Sequence, residues 1–359
     1  MKVIISGGGT GGHIFPAVSI ANALMERDSS TEILFVGAEG KMEMEKVPAA
    51  GYKIVGLPVA GFQRRLTYKN ITFFFKLAAS MLKARKVVKD FNPDVVVGVG
   101  GYASGPVLRV ASNKNIPCVI QEQNSFPGVT NRILSKKVSK ICVAYPEMER
   151  FFPAEKIVLT GNPVRQNLLK KVDRTEAAKY FGLNPEKKVV FVTGGSLGAR
   201  TINEGILEGY QTLLDQGIQL IWQTGKYYYD QIKSQVQEND HIKILAFVDK
   251  MEAAFSLADV VVSRAGASSI SEMALLKKAA IFVPSPNVSE DHQTKNAMAL
   301  VKEGAAVMVK DAEVKEKLVN EVVDLVKNEE TAENLMQNVI KFAKPNAANE
   351  IVDELLKLL

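Results

Sequence analysis

Cysteine is scarce in this sequence, with two in 359 residues. Cys118 and Cys142 each lie inside an apolar, strand-like run, so no disulfide framework is expected and both read as buried reduced thiols of a cytoplasmic protein. Long apolar runs are missing too. No stretch reaches the roughly eighteen uninterrupted apolar residues a spanning helix needs. Glycines break the first apolar run at once, so no secretion leader is expected. There is no repeat of solenoid period and no low-complexity tract. Acid is in deficit: 39 Asp and Glu face 45 Lys and Arg, for a formal charge of +6. That balance favours anionic partners, whether phosphates, nucleic acid or an acidic membrane face.

What is present is an ordinary globular composition, 47% apolar and 23% charged, in a chain long enough for two domains. Short β-branched runs alternate with helical patterns. KVIIS, EILFVG, KIVGLPV, DVVVGVG, PCVIQE, KICVA and KIVLTG come first, then KVVFVTGG, IQLIWQTG, IKILAFV, DVVVSRAG and AAIFVPS. Continuous apolar strands separated by helices predict parallel sheets covered on both faces. Twelve strands exceed one comfortable sheet, and the pattern restarts after GNPVRQN (residues 161–167), so two α/β domains are expected to join there. The closing IVDELLKLL reads as an amphipathic helix that packs back on the first domain.

Four of the strands end in the same way, with small residues that turn the chain into a helix. These are IISGGGTGGH (4–13), VVVGVGGYASG (95–105), FVTGGSLGAR (191–200) and VVVSRAGASSISE (260–272). Each design offers backbone N–H groups at a helix N-terminus beyond the carboxyl end of a strand, where anions bind. Facing domains would bring all four loops to one cleft fit for a ligand with several phosphates. Gly7, Gly9 and Gly12 also satisfy G-x-G-x-x-G, but a dinucleotide site wants an acidic residue about twenty positions further on. Here Glu39 arrives about seven residues late, and His13 would crowd a pyrophosphate. The dinucleotide reading fails.

His13 either caps or packs under its loop, or serves as a neutral, proton-accepting imidazole at the mouth of the site. Glu272 either stabilises its helix N-terminus or accepts two vicinal ribose hydroxyls; the residues alone do not choose. Arg165 and Arg264 are candidate phosphate partners. His241, in a polar stretch, receives no role, and His292 lies beside Gln293.

GGGTGGH, VGVGGYASGP, QEQNSFPGVTNR, GNPVR, GGSLGAR, RAGASSISE and HQTKNA, in that order along essentially the whole chain, resemble the MurG family of bacterial cell-wall glycosyltransferases. The resemblance implies the GT-B fold, two Rossmann-like parallel-sheet domains facing across a cleft. Residues 1–163 plus 343–359 would face acceptor and membrane, and residues 164–342 would bind the UDP-sugar. It implies inverting transfer of N-acetylglucosamine from UDP-N-acetylglucosamine to the 4-hydroxyl of undecaprenyl-pyrophosphoryl-N-acetylmuramoyl-pentapeptide. That is the lipid I to lipid II step of peptidoglycan synthesis, carried out peripherally at the cytoplasmic face of the cell membrane. Carried over by motif, Thr10, Gly11, Gly12 and Asn124 meet the donor, and Arg165 and Ser196 approach its diphosphate. Val248 lies against the uracil and offers its backbone. Ala267, Ser268, Ser269, Ile270, Ser271 and Glu272 hold diphosphate and ribose, and Gln293 contacts the transferred sugar. Gly100, Gly101, Tyr102 and Ser104 would receive the acceptor's pyrophosphate. His13 is the first candidate base and Glu122 the reserve. No D-x-D metal anchor is present, so helix N-termini and Arg165 are expected to stabilise departing UDP with no cofactor and no metal.

Residues 62–89, FQRRLTYKNITFFFKLAASMLKARKVVK, hold eight Lys and Arg and no acid. Ile71, Phe74, Phe75, Ala78 and Leu82 make one apolar stripe at helical spacing, and Phe73, Leu77 and Met81 a second. One stripe is expected to be core. The other, with its basic rim, suits an anionic membrane interface, where Phe73, Phe74, Phe75, Lys76 and Lys83 would make contact. No stacking platform or reading helix supports nucleic-acid binding. The rivals are a UDP-N-acetylglucosamine 2-epimerase or a glycolipid glucosyltransferase of the same fold, and a non-catalytic nucleotide-sugar sensor.

Overall fold

Val3, Ile4 and Ile5 are all fully buried, which consecutive strand residues achieve only where both faces of a sheet are covered. The computed structural model describes residues 1–59, 69–170 and 172–359. They divide into two units, Met1–Arg165 with Lys344–Leu359, and Gln166–Ala343.

The first unit holds β1 (Lys2–Ser6), β2 (Glu32–Ala38), β3 (Lys53–Leu57), β4 (Val95–Gly98), β5 (Cys118–Glu122), β6 (Lys140–Val143) and β7 (Ile157–Leu159). They form one sheet in the order β3-β2-β1-β4-β5-β6-β7, parallel throughout. Alternate residues go to opposite faces. Val3, Ile5, Val95 and Val97 pack under the helix Gly11–Arg27, together with Ile351, Val352 and Leu355 of the last helix, Ala347–Leu356. Ile4, Val96, Ile120 and Ile141 pack on the other face with Ala84, Val88, Val107 and Leu108. Arg27 and Asp353, 2.9 Å apart, join the last helix to the first at the surface.

The second unit holds β8 (Val189–Thr193), β9 (Gln219–Gln223), β10 (Ile242–Leu245), β11 (Val260–Ser263), β12 (Ala279–Phe282) and β13 (Val307–Met308). Its order is β10-β9-β8-β11-β12-β13, again all parallel. The twelve expected strands are present. β13 was not expected: two half-buried residues in GAAVMVK carry too little pattern to stand out.

In each sheet the strand order reverses at the centre, between β1 and β4 and between β8 and β11. Ligands of open α/β sheets bind at that reversal, outside the carboxyl ends of the strands. The four glycine loops are the exits of those four strands.

Candidate active site

In the first unit the two loops interlock. Gly101, at φ +83°, approaches the first loop so closely that a Cβ there would meet Gly8 O at 2.4 Å. A Cβ on Gly100 would lie 2.9 Å from both Cδ2 and Nε2 of His13. The histidine is thereby held against the second loop. Its Nδ1 lies 3.0 Å from Gly8 O, with Thr10 Oγ1 at 3.4 Å. A carbonyl only accepts, so Nδ1 carries the proton, which in a neutral ring makes Nε2 the acceptor nitrogen. The helix Gly11–Arg27 begins here; His13 and Ile14 N–H already bond Thr10 O, while the N–H groups of Gly11 and Gly12 precede the first helical acceptor.

The residues expected around the acceptor separate. Tyr102 is 58% exposed, whereas Ser104 is fully buried and its hydroxyl donates to Gly101 O at 2.9 Å. The Ser104 side chain therefore shapes the loop, so only the backbone of Ser104, at the start of the helix Ser104–Asn113, could meet a ligand. Glu122 is 1% exposed. Its Oε1 accepts from the N–H and Nδ2 of Asn124, and its Oε2 from Gly128 N–H and Asn131 Nδ2, at 2.7–3.2 Å. Burial pushes this carboxyl up while those four donors pull the other way. A carboxylate so occupied fixes Asn124 and the following turn; as a reserve base it has no accessible face. Beside it, buried Gln121, Gln123 and Asn162 bond in series: Gln121 Nε2 donates to Asn162 Oδ1, and Asn162 Nδ2 to Gln123 O. The Arg165 guanidinium stacks 5.0 Å from the Phe15 ring.

In the second unit Ser196 stands exposed on the third loop, ahead of the helix Arg200–Asp215. The fourth loop opens the helix Ala267–Leu275 with Gly266 as N-cap. Ala267 and Ile270 point into the core, so only their backbone can serve a ligand. Ser268 Oγ is buried and has no hydrogen-bond partner among the described residues; a phosphoryl oxygen would relieve a defect of about 1–3 kcal/mol. Ser269 and Ser271 are half-buried, and Glu272 is 7% exposed one turn further on. Gln293 accepts Ser285 N–H at 2.8 Å through Oε1, which orients its Nε2 outward from that contact.

Two sequence expectations change here. Arg264 is not a phosphate ligand: its guanidinium donates to Val283 O, Pro284 O, Thr201 Oγ1 and Asp311 Oδ1 and is only 17% exposed. It bolts the loop to its neighbours. The N–H of Val248 is taken by Gln223 Oε1 at 2.8 Å, so a base can be met only by the Val248 carbonyl. Gln223 itself escaped sequence reading. It is one of two amides in a buried, otherwise apolar strand, IQLIWQ, and its place at the strand's exit was the available signal.

The helix Lys69–Phe91 turns Ser80, Ala84 and Val88 inward, small residues that belong to neither expected stripe. Phe73 and Met81 are half-buried, while Phe75 at 73%, Leu82 at 66% and Ala78 stand exposed on one face. Lys76, Arg85 and Lys86 are exposed around them, and Lys83 is half-buried. Lys83 pairs with Glu39 at 2.8 Å, both side chains being partly exposed. Residues 62–68 and the Phe74 side chain lie outside the described residues. Among the described residues no helix is long and apolar enough to cross a membrane.

Residues 3–143 match the glycosyltransferase family 28 N-terminal domain and residues 189–351 the family 28 C-terminal domain. The chain is 56% identical over 362 residues to the UDP-N-acetylglucosamine--N-acetylmuramyl-(pentapeptide) pyrophosphoryl-undecaprenol N-acetylglucosamine transferase of Phocaeicola vulgatus, covering 100% of this chain and 96% of that one. The crystal structure of Acinetobacter baumannii MurG matches with a TM-score of 0.80 at 28% identity over 99% of both chains. UDP-GlcNAc 2-epimerase from Neisseria meningitidis, bound to UDP-GlcNAc, matches at TM-score 0.70 over 99% of this chain and 100% of that one; its 15% identity speaks for the fold alone.

Proposed function

The chain belongs to glycosyltransferase family 28, among the N-acetylglucosamine transferases of that family, and on that premise we propose how its residues carry the reaction. It moves N-acetylglucosamine from UDP-N-acetylglucosamine to the 4-hydroxyl of undecaprenyl-pyrophosphoryl-N-acetylmuramoyl-pentapeptide in peptidoglycan synthesis. An α-linked donor and a β-linked product require one in-line displacement. That needs a base for the hydroxyl proton and stabilisation of departing UDP.

The observation that carries the assignment of the base is the His13–Gly8 hydrogen bond. It sets the tautomer that leaves Nε2 as acceptor, and Nε2 faces Gly100 of the loop assigned to the acceptor's pyrophosphate. His13 Nε2 takes the proton as the sugar's anomeric carbon is attacked. In the second unit the diphosphate sits at the first turn of Ala267–Leu275, where Ser268 Oγ gains its missing partner and the helix dipole opposes the growing charge. Glu272 accepts the ribose hydroxyls, the Val248 carbonyl meets the uracil, and Gln293 reaches the sugar through Nε2.

The exposed face of Phe75, Ala78 and Leu82, ringed by Lys76, Arg85 and Lys86, supports contact with an anionic membrane surface on the cytoplasmic side, where a lipid-anchored acceptor is met. The deciding assay incubates the protein with UDP-N-acetylglucosamine, with and without the lipid acceptor. Acceptor-dependent UDP release is expected. Release or isomerisation without acceptor would instead mean epimerase chemistry, and saturable binding alone a sensor.

A further inference from the structure

The first glycine loop already holds an anion of the protein's own. Glu43, 1% exposed at the start of the short helix Glu43–Ala49, turns its carboxylate into the loop. Oε2 accepts from Gly9 N–H and Oε1 from Ala38 N–H, both at 2.9 Å. Two glycines make room for it. A Cβ on Gly8 would lie 2.2 Å from Glu43 Oε1, and one on Gly37 2.5 Å from Glu43 Cγ. Gly8 stands at φ +146° and Gly9 at φ +91°, a backbone path that side chains rarely adopt. The carbonyl of Gly8 is the acceptor for His13 Nδ1. Carboxylate, peptide and imidazole thus form one connected series: Glu43 pins the Gly8–Gly9 peptide, and that peptide pins the ring.

We infer that Glu43 is a positioning residue for the transfer, an internal anion seated where a dinucleotide fold receives a ligand's phosphate, which fixes His13 for proton abstraction. This rests on the reading of His13 as the base. It also explains why a literal G-x-G-x-x-G loop here has no opening for a pyrophosphate at Gly9: the amide is taken, and a second anion would face a buried carboxylate. A generic packing role would lower stability without favouring one kinetic constant. A positioning role acts on turnover, because misplacing a catalytic group by about an ångström can cost about a hundredfold in rate.

The test compares wild type, Glu43→Ala and Glu43→Gln in the acceptor-dependent assay, with sodium formate added against sodium chloride at equal ionic strength. Glu43→Ala is expected to lose about a hundredfold in kcat, with KM for UDP-N-acetylglucosamine within about twofold. Formate, able to refill the space between Gly9 and Ala38 N–H, should restore much of the loss where chloride does not. Glu43→Gln keeps the shape but sets an NH2 against one of the two N–H donors, so it should lose about tenfold or more in kcat without rescue. This variant decides the matter if Glu43→Ala does not fold. Unchanged kcat in Glu43→Gln, a loss confined to donor KM, or a folded Glu43→Ala insensitive to formate would overturn the inference. Nitrogen-15 spectra of the His13 ring give a readout independent of transfer: the Nδ1-protonated signature of wild type should be lost or mixed in the variants, and its persistence would overturn the role of Glu43. Absence of acceptor-dependent UDP release in wild type would overturn the transferase reading instead, leaving the ring spectra to judge Glu43.

Discussion

Gln223 Oε1 accepts the N–H of Val248 at 2.8 Å while Nε2 of the same side chain donates to Gly195 O and Thr193 Oγ1, each at 3.0 Å. One buried amide therefore spaces the turn assigned to the uracil from the loop assigned to the diphosphate. Gln223→Met, which keeps length and burial but removes all three bonds, should raise KM for UDP-N-acetylglucosamine by about tenfold, the equivalent of roughly one net hydrogen bond, and leave kcat nearly unchanged. Steady-state kinetics with the acceptor saturating would check this. A fall in kcat at constant donor KM would contradict it.

His13→Ala removes the lone pair that Nε2 offers and should lower kcat by about 10²–10⁴. Donor affinity, measured by calorimetry with UDP-N-acetylglucosamine, should stay within about twofold. Near-normal turnover would end the assignment of His13 as base.

Arg264→Ala separates a bolt from a ligand. Arg264 and Asp311 are each 17% exposed, and removing one partner of a largely buried pair costs about 3 kcal/mol. Denaturant unfolding should show that loss while donor KM in the folded enzyme changes little. Intact stability with a raised donor KM would make Arg264 a phosphate contact after all.

On the helix Lys69–Phe91, Lys76→Glu with Lys86→Glu should weaken sedimentation with anionic vesicles by at least about tenfold, since each cation near such a surface contributes about 1 kcal/mol. Zwitterionic vesicles should show little change, and Phe75→Ser should reduce binding to both. Lys83 is left alone because it pairs with Glu39. Equal binding by wild type and the double variant would remove the proposed membrane face.

The sequence showed where strands and glycine turns lie, and residue types identified candidates, but exposure and partners sorted them. Ser104 and Tyr102 sit two residues apart in one loop, yet one is fully buried and the other 58% exposed. The basic helix misled for a related reason. Small Ser80, Ala84 and Val88 allow the close approach that buries that face, and hydrophobicity alone would have chosen the phenylalanines.

Strand runs and βα turns depend on neighbours a few residues away, so composition and period alone determined two parallel α/β sheets with glycine loops at four strand exits. The chemistry depends on partners far along the chain. Glu43 and Gly9 are 34 residues apart, Arg264 and Asp311 47, Gln223 and Val248 25. Only folding decides which polar groups meet, and hence which are consumed inside the protein and which are left to a substrate, because a buried donor or acceptor must find a partner wherever the chain supplies one.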